Sequence, residues 1–223
     1  MVFIIPLVFQ LKIDTKRYKK NKLIFNTSEG MQERMTIVNK KKYEASVREW
    51  DIAIQAEPNN EVLWNNKGVS LVRLGELKKA IKCYSKALKI NPKYENAWFN
   101  KGKAFTKLDK HKDAIKCYDQ VHKLNPKNIS AWNNKGIAYR TLKKFTEALY
   151  CFDKTIEINK DYEWGWHNKG FTLSEQGQLK EALQCYDRAL EINPNYQAAL
   201  RNRKSCLRIL DLKEKEKQFL RKD

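Results

Sequence analysis

The five residues Trp64-Asn65-Asn66-Lys67-Gly68 return, with small changes, at Trp98–Gly102, Trp132–Gly136 and Trp166–Gly170, always 34 residues apart. Sixteen residues beyond each Trp stands an alanine: Ala80, Ala114, Ala148 and Ala182. Four further on comes an aromatic: Tyr84, Tyr118, Phe152 and Tyr186. Asn-Pro closes three of the units, at Pro92, Pro126 and Pro194, and Lys160 replaces the proline in the other. Self-similarity at one fixed period restricts a chain to architectures in which each unit packs on its neighbours alone.

Within a unit the pattern is that of two helices. Trp64, Gly68, Leu71 and Leu74 fall at helical spacing before Gly75 breaks the run. A second apolar stripe carries Leu77, Ala80, Ile81, Tyr84, Ala87, Leu88 and Ile90, and it stops at Asn91-Pro92. Proline cannot continue a helix and pushes the residue before it toward extended angles. With only 8 Gly and 5 Pro in 223 residues, the composition also disfavours a turn-rich β fold. The small Gly68 and Ala80 let two antiparallel helices approach, and Trp64 and Tyr84 fill the space beside them.

A Trp, then Gly four later, Ala at sixteen, an aromatic at twenty and Pro at twenty-eight resembles the tetratricopeptide repeat. The resemblance implies an all-α fold, a right-handed α-solenoid of antiparallel helix pairs. Four clear repeats cover 61–94, 95–128, 129–162 and 163–196. A degenerate copy at 27–60 keeps Ser46, Trp50, Ala53 and Pro58 in phase but has Gly30 and Arg34 where Trp and Gly belong. Residues 197–223 are expected to form a capping helix and charged tail, since the last repeat would otherwise expose its apolar side. Residues 1–26 are an apolar and then basic extension. Its apolar part, Met1 to Leu11, falls short of the roughly 20 residues of a spanning helix. It suits a weak membrane-surface anchor or a stretch upstream of a start at Met31 or Met35.

No zinc-protease, nucleophile-elbow, phosphate-loop or dinucleotide motif occurs, so the reading is of a protein that is not an enzyme and needs no cofactor or metal. Cys83, Cys117, Cys151 and Cys185 recur once per unit, and Cys206 follows. Neighbouring equivalent helices lie on the order of 10 Å apart, too far for a disulfide. The cysteines therefore read as packing residues of a cytoplasmic protein. His111 and His122 fall in core-facing columns, roughly 16 Å apart along one helix, and read as core histidines satisfied by neighbours.

Resemblance to the family places the first helix of each pair on a concave groove. Residues two before, one after, two after and five after each Trp should face it. Asn66, Asn100, Asn134 and Asn168 form one such column, and an Asn side chain can both donate to and accept from a peptide backbone. Phe99, Lys103, Lys107 and Arg140 join it centrally, and Trp164, His167 and Phe171 at the far end. Aromatics beside cations are the usual content of an interaction hot spot. The net charge of +19, with 45 Lys and Arg against 26 Asp and Glu, favours an acidic protein or peptide ligand. The alternatives are nucleic acid or an anionic membrane surface held by the Lys-rich exterior, and a role as accessory subunit of a larger assembly. Family members that clamp an Hsp70/Hsp90-type carboxylate tail need Lys, Asn, Asn, Lys and Arg at places that here hold Asn65, Val69, Asn100, Ser130 and Asn134. Only the middle asparagine matches, which argues against that ligand.

Overall fold

A computed structural model describes residues 28–220 as ten α-helices, with no strand among the described residues. They are α1 (Ser28–Ala56), α2 (Glu61–Arg73), α3 (Leu77–Ile90), α4 (Glu95–Lys107), α5 (His111–Leu124), α6 (Ile129–Thr141), α7 (Phe145–Ile158), α8 (Glu163–Glu175), α9 (Leu179–Ile192) and α10 (Gln197–Leu220). Each helix packs on the one before and the one after. Pairs α2/α3, α4/α5, α6/α7 and α8/α9 are the four units read from the sequence. Neighbouring first helices also touch one another, whereas neighbouring second helices do not. The stack therefore bends toward α2, α4, α6 and α8, which line its inner face.

The glycine after each Trp is explained by its contact across the pair. A Cβ at Gly68 would stand 2.5 Å from the Tyr84 ring, at Gly102 2.7 Å from Tyr118, and at Gly136 2.6 Å from Phe152. The rings and the alanines four residues before them are almost wholly buried. Each Trp indole donates to the backbone carbonyl six residues upstream, at Pro58, Pro92, Pro126 and Lys160, over 2.8–3.0 Å. The loop is held from its other side by an Asx turn, in which Asn91, Asn125, Asn159 and Asn193 each accept from the backbone two residues on. That bond needs no proline, which is why Lys160 can replace it in the third unit.

Two kinds of latch join successive units. Lys67 pairs with Asp51, Lys135 with Asp119, Lys169 with Asp153 and Arg203 with Asp187, always sixteen residues apart. The junction between the first and second units has Ser85 in place of the aspartate, and there Lys101 lies over the Trp98 ring. The second latch, between asparagines, belongs to the inner face.

At the N-terminus a single 29-residue helix replaces a helix pair. Its second half takes the place of a second helix: Trp50 donates to Ser70 Oγ at 3.2 Å, Ile54 is buried, and Val47 packs on the Leu71–Tyr84 cluster. In its first half the sequence has Arg34 at the place where the other units have glycine. Helix α10 covers the last unit with Ala199 and Cys206, both buried. All five cysteines are free and buried, and burial pushes the Cys117, Cys151 and Cys185 thiols up to about 11, 12 and 11. No described helix is long and apolar enough to cross a membrane; the apolar segment 1–11 lies outside the described residues. Ala80, with no exposed surface, packs in the core cluster with Leu71, Cys83 and Tyr84. Ala80→Leu should cost about 1–3 kcal/mol in chemical denaturation, and an unchanged midpoint would contradict this packing.

Candidate functional site: the inner face of the stack

The asparagine column two residues after each Trp lies on the inner face, but its members differ in what they hold. Asn100 donates from Nδ2 to Asn65 Oδ1 of the preceding unit at 3.0 Å. Asn168 donates in the same way to Asn133 Oδ1 at 2.8 Å. Asn202, 34 residues beyond Asn168, donates to His167 Nε2 at 3.0 Å. A side-chain clasp thus joins the first unit to the second, the third to the fourth, and the fourth to α10. The acceptors are the residues one after each Trp. Asn65 and Asn133 are themselves buried, as is Asn168.

The junction between the second and third units lacks this clasp, because its acceptor position holds Phe99. Asn134 turns instead to its own helix and donates to Ser130 O at 2.7 Å. Its Oδ1 has no hydrogen bond among the described residues. Asn66, at the first unit, accepts from Asn65 Nδ2 at 3.3 Å and leaves its own amide N–H groups without a partner there. Of four asparagines that look equivalent in sequence, Asn100 and Asn168 hold the stack together, whereas Asn66 and Asn134 keep half of their bonding capacity.

The aromatic and basic residues divide by position. Phe99 is half-buried against the Tyr118 ring, 6.1 Å away between centroids, and Lys103 Nζ lies 5.5 Å from the Phe99 ring centre. Lys103 and Lys107 are exposed. At the other end Trp164 is 50% exposed and tilts against Tyr196 at 5.2 Å. His167 contacts Phe171, Tyr186 and Tyr196, and Tyr196 Oη lies 3.3 Å from His167 Nδ1. Burial and the Arg140 charge bring the His167 imidazole down to about 4, with the Asn168 hydrogen bond opposing. Arg140 stacks 4.5 Å above Phe171 and approaches Glu175 at 3.7 Å. Glu175 also takes Lys143 at 3.2 Å. The cations of this end therefore share one carboxylate, whereas Lys103, beside Phe99, has no ion pair among the described residues.

His111 and His122 lie away from this face, on α5. His122 stacks on Trp132 at 3.7 Å, but neither of its ring nitrogens has a hydrogen-bond partner among the described residues, and burial with the Lys135 charge lowers it to about 4. The expected satisfaction by a neighbour is thus stacking rather than hydrogen bonding. His111 Nε2 is 3.8 Å from Asp109, and its Nδ1 is unpaired among the described residues.

Sequence reasoning missed Tyr196, Asn202 and the acceptor role of Asn65, Asn133 and His167. Asn202 stands 34 residues after Asn168, so the repeat period itself was the signal that could have found it.

A family model for the tetratricopeptide repeat matches residues 95–128, 129–162 and 164–196, and a second, described as TPR repeat, matches 70–109. The chain belongs to the tetratricopeptide repeat family. Among solved structures it is similar to YrrB, a TPR protein with an unusual peptide-binding site (TM-score 0.65, 21% identity, 86% of this chain and 98% of that one). It is also similar to MamA (0.66, 22%, 70% and 91%) and to the first TPR of Spaghetti (RPAP3) bound to an HSP90 peptide (0.51, 27%, 52% and 93%). Comparison with curated proteins finds no match.

The clasp predicts unequal costs within one column. Asn168→Ala leaves the buried Asn133 Oδ1 unpaired and should cost about 1–3 kcal/mol. Asn134→Ala, which breaks no bond between units, should stay within about 0.5 kcal/mol of the parent. Equal costs in urea denaturation would overturn the distinction.

Proposed function

We propose that this tetratricopeptide repeat protein is a non-catalytic scaffold that holds an acidic, extended or helical segment of another protein against its inner face. The observation that carries the reading is the unclasped junction between the second and third units. There Asn134 keeps a carbonyl with no hydrogen bond among the described residues and Phe99 offers a ring. Lys103, against that ring, and Lys107, further along α4, carry charge toward the preceding unit with no ion pair among the described residues. An amide of this kind suits a peptide bond, which presents one donor and one acceptor per residue. An apolar ring flanked by cations suits an acidic segment with an apolar side chain. Two structural relatives are described as having a peptide site or holding a peptide, which supports protein binding as the use of this fold.

Charge favours an acidic ligand over a basic one across the whole chain. Among the 45 basic residues 35 are Lys, whereas bidentate recognition of phosphates and bases favours Arg. That composition fits a peptide better than a nucleic acid. A blocked peptide of alternating glutamate and alanine, followed by fluorescence anisotropy, should bind the full chain, and its lysine counterpart should not. Binding should weaken at least about tenfold in Phe99→Ala/Asn134→Ala, measured at a temperature where circular dichroism shows the variant still folded. Equal affinity for both peptides, or displacement of the acidic one only by oligonucleotides and not by unlabelled peptide, would contradict the reading.

A further inference from the structure

Between α2 and α4 the inner face holds a cavity of about 140 Å³. Arg73, Lys103 and Lys107 line it, with Val72, Asn100 and the Tyr84 ring, and no carboxylate is among its lining residues. Among the described residues none of the three cations has an ion-pair partner, in contrast to Arg140 and Lys143, which share Glu175. Like charges gathered at one cavity repel one another, and an anion placed between them relieves that repulsion.

Tyr84 supplies the second observation. The tyrosines at its position in the second and fourth units meet a hydroxyl: Tyr118 Oη lies 3.3 Å from Thr106 Oγ1, and Tyr186 Oη lies 3.3 Å from Ser174 Oγ. In the first unit the residue at that place is Val72, which offers no polar atom. Tyr84 is 1% exposed and lines the cavity, and its hydroxyl has no hydrogen bond among the described residues. Burial pushes the phenol up, so it keeps its proton and remains a donor. Asn100 is fixed beside it by the bond to Asn65. The phenolic hydroxyl opens on the cavity beside three cations, donors that an oxyanion can accept from together.

Granted the acidic ligand proposed above, on which this rests, we infer that the cavity anchors one oxyanion of the bound segment, a side-chain carboxylate or a phosphorylated side chain. Arg73, Lys103 and Lys107 surround the group, and Tyr84 Oη donates to it from the floor. The Phe99 ring, in contact with Lys103, links this anchor to Asn134 one unit further along.

The glutamate–alanine peptide and a copy with phosphoserine for one glutamate would be titrated into the full chain and three variants. Tyr84→Phe removes only the hydroxyl, and Phe152 already fills the same place in the third unit, so the fold should stand. It should weaken binding roughly tenfold, the size of a hydrogen bond to a charged group. K103E/K107E should weaken it further, whereas K116E/K123E, the same charge change at exposed positions of α5, should have much less effect. The tighter of the two peptides identifies the oxyanion. If the peptides bind but Tyr84→Phe is silent, or both double variants lose affinity equally, the anchor is wrong while the inner-face reading survives. If neither peptide binds the parent, both fall together.

Discussion

The contact on which this structure depends is that of an aromatic ring against a glycine backbone. At Gly68, Gly102 and Gly136 the ring of the second helix occupies the space a Cβ would need. Two helices that close cannot carry side chains at the crossing, so the unit requires glycine on one helix and alanine on the other, sixteen residues beyond the Trp. Once that crossing is set, one tryptophan and one Asx turn fix the loop to the next unit. The repeat length then follows from two helices and their connections.

Stacking such units raises a second problem, the polar surface between first helices on the inside of the bend. Side-chain amides solve it at three junctions by bonding to each other or to His167. The solution needs an acceptor one residue after the Trp of the preceding unit. Phe99 withholds it at one junction, and there the charged latch Lys135–Asp119 persists alone. The complementary gap occurs one junction earlier, where Ser85 removes the charged latch and the amide clasp remains. Each junction keeps at least one polar tie, and the one relieved of its amide clasp exposes groups that can face a ligand.

The helix pairs were legible in the sequence because glycine, alanine and ring positions obey short-range spacing, and each packs within its own 34 residues. The continuity of α1 was less legible. Arg34 in place of glycine signals that a pair cannot close, but not that the helix runs on. The asparagine column was visible, yet its division was not, since each clasp spans 35 residues and depends on a neighbour in another column. The alternation Asn65, Phe99, Asn133, His167 carried that information in plain view. The pairing of Arg140 with Glu175 and the unpartnered hydroxyl of Tyr84 lay deeper, because each arises only when two units are set side by side.

The most direct test of this account follows the side-chain amide resonances of Asn66, Asn100, Asn134 and Asn168 by NMR while the acidic peptide is added. Asn134 should shift most on binding, while the Asn168 amide, buried in its clasp with Asn133, should stay nearly fixed in position and protected from solvent exchange. Equal shifts at all four, or an Asn168 amide that exchanges as fast as Asn134 before any peptide is present, would contradict the account.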